Sequence, residues 1–139
     1  MAGIRRTPAD SAFSDCIRER DNWTCQSCGK YYPEGHRRGI ECSHFHSRGN
    51  WGIRFHPLNA EALCTFCHFN HGGTRLPQVR SEFEQQLLLD LKNDTNLGKM
   101  YRKTKGVGQI AAHYREELRR MQDLKAIGSK GRVDFEAFL

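Results

Sequence analysis

Residues 25–28, Cys-Gln-Ser-Cys, and residues 64–67, Cys-Thr-Phe-Cys, decide how this chain folds. Thiolates in a Cys-x2-Cys turn lie close enough to grip one tetrahedral Zn²⁺, and two such turns complete a four-cysteine site. The spacing predicts one structural Zn²⁺ per chain on Cys25, Cys28, Cys64 and Cys67. That ion would pin together the two ends of a histidine-rich segment. His36, His44, His46 and His56 lie between the turns, and His68 and His71 follow the second one. Disulfides are the rival use for six cysteines, but residues 1–6 lack the apolar stretch of a secretory leader. A reducing, cytoplasmic setting and zinc thiolates are the better reading. Cys16 falls in a helical pattern and reads as a buried thiol.

Working outward, only 37% of the 139 residues are hydrophobic and 27% are charged, which limits the core and favours a staple. Structural zinc supplies one, because binding metal to the folded site is itself folding free energy. One domain is expected over residues 1–139: an N-terminal helix at 7–21, a zinc-stapled core at 22–76 and a helical extension at 77–139. The net charge of +6, with a pI near 9.2, favours a polyanionic partner. No apolar run approaches the roughly 20 residues that span a bilayer, so no membrane partner is expected.

Local signals give an α+β fold. Thr7 is a good N-cap, Pro8 suits the first helical position, and Phe13, Cys16 and Ile17 form one apolar stripe of a helix to about Arg20. Residues 40–45 predict a short strand with Ile40, Cys42 and His44 on one face. Residues 60–64 predict a second strand or turn, followed by a short helix at 65–70 that Gly72 and Gly73 would end. Pro77 opens a helix with Val79, Phe83, Leu87 and Leu91 on one face. Residues 93–108, including basic Arg102, Lys103 and Lys105, predict a loop or broken helix. A last helix over 109–126 carries Ile110, Tyr114, Leu118 and Met121, and residues 132–139 predict an edge strand or a mobile tail.

Three residues carry the chemistry. His44 ends the first strand, Asn59 precedes the second, and His68 follows the second cysteine pair. Hydrolysis of a phosphodiester needs a base near neutral pH, and imidazole titrates near pH 6.5. It needs a cation to neutralise charge on the phosphoryl and leaving oxygens. It also needs an amide side chain or backbone carbonyl to hold the base in one tautomer. Asn59 alone could be a turn residue, and an exposed arginine is more often solvated than bound to phosphate. Arg48 and Arg54, flanking the histidine segment, are nonetheless candidates for holding nucleic acid. His36, His56 and His113 read as surface or loop residues.

These residues carry a resemblance. Ser43-His44-Phe45, Leu58-Asn59-Ala60 and Leu63-Cys64-Thr65-Phe66-Cys67-His68 resemble the HNH branch of the His-Me finger endonucleases. The likeness is closer to the phage NinG (Rap) recombination nucleases. It adds Ile17-Arg18-Glu19-Arg20-Asp21, Ser47-Arg48-Gly49, Arg54-Phe55 and, more loosely, Tyr114-Arg115-Glu116-Glu117-Leu118. It covers residues 12–75 well and 78–125 loosely. The resemblance implies a ββα-metal core and a metal-dependent DNA endonuclease that nicks DNA or cuts branched DNA, as monomer or homodimer. In a phage-encoded chain the setting would be the host cytoplasm. His44 would be the general base, Asn59 would orient it and steady the loop between the strands, and His68 would bind a catalytic Mg²⁺ or Mn²⁺. The family often has Asp before the base, where this chain has Ser43. The second metal ligand is left open among Ser43, His46, His71, Asn70 and Cys42, or water and substrate phosphate. A non-catalytic zinc-knuckle protein that binds nucleic acid is the alternative.

Overall fold

Helix α1, Pro8–Arg20, begins with a reciprocal cap: Asp10 N–H donates to the Thr7 hydroxyl at 3.3 Å, and Thr7 N–H donates to the Asp10 carboxylate at 2.7 Å. The structure, a computed structural model, describes residues 5–102 and 104–138. The leader reading at residues 1–4, basic Lys103 and the end of the last segment at Leu139 lie outside the described residues. After α1 the chain reverses through Asn22 and Trp23, both left-handed at φ 56°. Such a conformation costs about 1–2 kcal/mol per non-glycine residue. The buried Trp23 ring, whose indole N–H donates to Glu19 at 2.6 Å, holds the turn and sends the chain into the first cysteine pair.

Strands β1 (Ile40–His44) and β2 (Ala60–Cys64) pair antiparallel, with Cys42 opposite Ala62 and His44 opposite Ala60. A one-turn 3₁₀ segment, Pro57–Asn59, leads into β2. Helix α2, Thr65–His71, leaves β2 directly, with Cys64 as its N-cap. Both α1 and α2 pack on this two-stranded sheet, so every residue of β2 is buried. Together these elements give a mixed α+β fold.

The remaining helices are α3 (Leu76–Val79), α4 (Glu82–Lys92), α5 (Thr95–Arg102) and α6 (Thr104–Ala126). The single helix expected after Pro77 is broken, because Ser81 forms a fresh capping box with Glu84 and restarts the chain. That restart turns the stripe: Leu88 is fully buried, whereas Phe83, expected in the core, is 78% exposed. Helix α6 begins earlier than expected and lies along α1. The Cys16 thiol donates to the Tyr114 carbonyl, and Phe13 meets the Tyr114 ring edge-on at 5.2 Å. Residues 132–138 form neither strand nor helix. They pack on α6 instead, placing Phe135 against Phe13 and Tyr114 and bonding Glu136 N–H to Glu117 at 2.7 Å. Phe13, Ile17, Ile40, Leu63, Ile110, Tyr114, Met121 and Phe135 thus form one continuous core. No helix among the described residues is long and apolar enough to cross a membrane.

Candidate functional site

The four cysteines meet. Their Sγ atoms lie within 4.8 Å of one another, and Cys28 Sγ is 3.9 Å from Cys64 Sγ. Four thiolates around one Zn²⁺ at about 2.3 Å would have edges of about 3.8 Å, so the cluster fits that ion. Each pair forms a turn in which the second cysteine's N–H points at the first sulfur, at 3.5 Å for Cys28 to Cys25 and 3.4 Å for Cys67 to Cys64. Gly29, at φ +80°, lets the first turn close. Gln26 N–H donates to Ala62 O at 2.9 Å, tying that turn to β2. A metal here would therefore fix the start of α2 against the first cysteine turn. Four free cysteines this close, in two matched turns, could hold a zinc ion.

A second site opens beside β1. The cleft, about 500 Å³, takes Glu41, Cys42 and His44 from β1, His68 from α2, and Ser14 and Arg18 from α1. Arg6 and Arg48 also line it. Strand β1 keeps an unbroken register with β2 and the expected alternation: Cys42 and His44 face α1, beside Ser14 and Phe13, while Glu41 and Ser43 face α2, beside His68 and Gly72. Ile40 is buried, while Glu41 shares the cleft with Cys42 and His44.

His44 Nε2 lies 3.0 Å from the carbonyl of Arg54. A carbonyl only accepts, so Nε2 carries the proton and Nδ1 keeps its lone pair. Burial pushes the imidazole down to about 4, helped by the nearby Arg48 charge and opposed by the bond to Arg54. His44 is therefore neutral at pH 7. Across the cleft, His68 Nδ1 is 2.9 Å from Glu41 Oε1. Gly72 makes room for this ring, since a Cβ there would lie 2.5 Å from His68 Cδ2. Glu41 and His68 thus stand as a carboxylate–imidazole pair within the cleft. Sequence reading passed over Glu41. The signal was a carboxylate three residues before His44 in the same short strand.

The other candidates go elsewhere. Asn59 is buried and clamps the loop between the strands: its amide donates to the carbonyls of His46 at 3.0 Å and Ile53 at 3.2 Å, and accepts from His46 N–H at 2.9 Å. These bonds tie down the loop between the strands, and the partner of His44 is the Arg54 carbonyl. Ser43 is fully buried close to Gly72, and its hydroxyl has no partner among the described residues. His46 does not line the cleft. Its Nε2 is buried without a partner among the described residues, and burial together with Lys92 lowers its pKa. His71 bonds Ser27 at 2.8 Å, bracing α2 against the first cysteine turn. Asn70 turns back to Phe66 O at 2.7 Å. Burial pushes the Cys42 thiol up to about 11, so it faces the cleft protonated.

Arg54 reverses its expected role. It is 1% exposed, donates to both Asp10 oxygens at 2.9 and 2.6 Å, and stacks 4.3 Å over Trp51. No face of it is left for phosphate. Arg48 does line the cleft, 3.7 Å from Asp10. No protein-family model, curated protein or solved structure matches this chain.

Proposed function

We propose that this protein is a metal-dependent DNA endonuclease of the HNH, or ββα-metal, kind, related to the NinG nucleases. The observation that carries the reading is one cleft shared by a neutral imidazole with a free Nδ1 and a carboxylate–imidazole pair, with arginines beside them. The order of elements agrees with it: His44 on the first strand, Asn59 before the return strand, and His68 on the helix that follows.

In this reading the cleft binds one phosphodiester. Arg48 and Arg6 balance its charge as it enters, and Arg18, whose Nε is already bound to the Ile40 carbonyl at 2.9 Å, adds to the positive field. His44 Nδ1 accepts a proton from a water aligned with phosphorus while Nε2–H stays on the Arg54 carbonyl. The water oxygen bonds to phosphorus as the P–O3′ bond breaks, leaving a 5′-phosphate and a 3′ oxygen that solvent protonates. Glu41 and His68 would hold a Mg²⁺ or Mn²⁺, which supplies charge neutralisation at the phosphoryl and leaving oxygens. A single cleft cuts one strand per encounter, which suits nicking or branched-DNA cleavage.

Incubation of zinc-loaded protein with supercoiled plasmid tests the reading. Nicked circles should form with Mg²⁺ or Mn²⁺ and not in EDTA. DNA binding without cleavage under any divalent ion would instead identify a non-catalytic zinc-knuckle protein.

A further inference from the structure

The loop carrying the Arg54 carbonyl is held from outside the strands and α2. Arg54 puts its side chain into a buried ion pair with Asp10 on the first turn of α1, while its carbonyl meets His44. Its Nη2 also donates to the Arg5 carbonyl at 2.7 Å. Asp10 is 2% exposed and is itself fixed by Thr7, whose backbone N–H and hydroxyl donate to Oδ2 at 2.7 and 2.9 Å. The next carbonyl along, that of Phe55, accepts from the Tyr114 hydroxyl on α6. Helices α1 and α6 therefore hold the chain on and next to the residue whose carbonyl meets His44.

We infer that the Asp10–Arg54 ion pair is the positioning device for His44, fixing the Arg54 carbonyl so that Nε2 keeps the proton and Nδ1 faces the cleft. This rests on the reading of His44 as the base. The ion pair reaches the reaction only through a peptide carbonyl, so Asp10 and Arg54 are positioning residues rather than catalytic ones. Two features argue against a purely stabilising pair. A buried ion pair contributes little net stability over apolar packing, because desolvation offsets its attraction. Asp10 also lies 3.7 Å from Arg48, so the same carboxylate sets an arginine that lines the cleft. A bidentate planar fork fixes direction as well as distance, which a lysine at position 54 would not do.

Asp10→Asn keeps an oxygen for the Thr7 cap while removing the charge, and Arg54→Lys keeps the charge while removing the fork. The first readout is the nitrogen chemical-shift pattern of His44 in the zinc-loaded protein without DNA, which does not depend on activity. Wild type should show one Nε2–H tautomer, and Asp10→Asn a mixture of tautomers. Turnover should fall roughly 10–100-fold, the cost typical of losing a group that orients a functional histidine, with KM for DNA within about twofold. Arg54→Lys should lie between wild type and Arg54→Gln. If Arg54→Gln fails to fold, the tautomer measurement on Asp10→Asn decides alone. An unchanged tautomer in Asp10→Asn, whatever its melting temperature, would overturn the inference. Should the wild type fail to cut DNA, the nuclease reading falls, while the tautomer comparison still reports on the ion pair.

Discussion

Replacing Cys64 with serine removes one thiolate from the cluster and, with it, the cross-link between residues 36 apart in sequence. A cross-link closing a loop of that length withdraws about 4 kcal/mol of conformational entropy from the unfolded chain. That figure is a lower bound, since apparent zinc affinities at four-ligand sites reach roughly 10–16 kcal/mol near pH 7. Whole domains are stable by only about 5–15 kcal/mol. At roughly 2–8 °C per kcal/mol, even the lower bound lowers the melting temperature by on the order of 10–30 °C. The local loss should be larger, because Cys64 caps α2 and ends β2. Elemental analysis of dialysed protein, paired with circular-dichroism melts with and without chelator, measures both consequences. The expected result is one zinc per wild-type chain and a low or absent transition in Cys64→Ser. Dialysed wild type without metal, or a Cys64→Ser melt that overlays wild type, would refute the reasoning.

The depressed pKa of His44 makes folding acid-sensitive. The unfolded imidazole binds a proton below about pH 6.5, while the folded one resists down to about 4. Stability should be full above pH 6.5 and fall by about 2–3 kcal/mol as pH drops toward 4, and His44→Gln should flatten that part of the melting-temperature profile. Leu88→Ala should cost about 2–5 kcal/mol in urea unfolding, whereas Phe83→Ala, at a 78% exposed position, should barely move the midpoint. Equal losses at both positions would restore the stripe on Phe83. Glu41→Gln and His68→Ala should each weaken Mg²⁺ or Mn²⁺ binding in calorimetric titration while leaving zinc content and melting temperature little changed. Unaltered divalent affinity in both would remove them as ligands.

Local chemistry was legible in the sequence where it acts over a few residues. Thr7 with Pro8 and Asp10 marks the start of α1, and the two Cys-x2-Cys turns mark both ends of the cluster. The break at Ser81 carried the same kind of signal, Ser81 with Glu84, but the apolar four-residue spacing from Val79 to Leu91 concealed it. What could not be read is what depends on a partner distant in sequence. Asp10 and Arg54 are 44 residues apart, and their pairing turns a candidate phosphate contact into a buried anchor. Glu41 and His68 are 27 apart and meet only because β1 and α2 flank one cleft. Phe135 reaches the core through a tail with no periodic pattern, so composition alone gave no reason to place it beside Phe13.

The most direct test of the proposed chemistry is single-turnover cleavage of a labelled DNA by wild type and His44→Ala in Mg²⁺ or Mn²⁺, with both proteins matched for zinc content and helicity. Loss of the base should slow cleavage by roughly 10²–10⁴-fold with DNA binding little changed. Cleavage by His44→Ala at the wild-type rate would contradict the assignment of this cleft as the catalytic site.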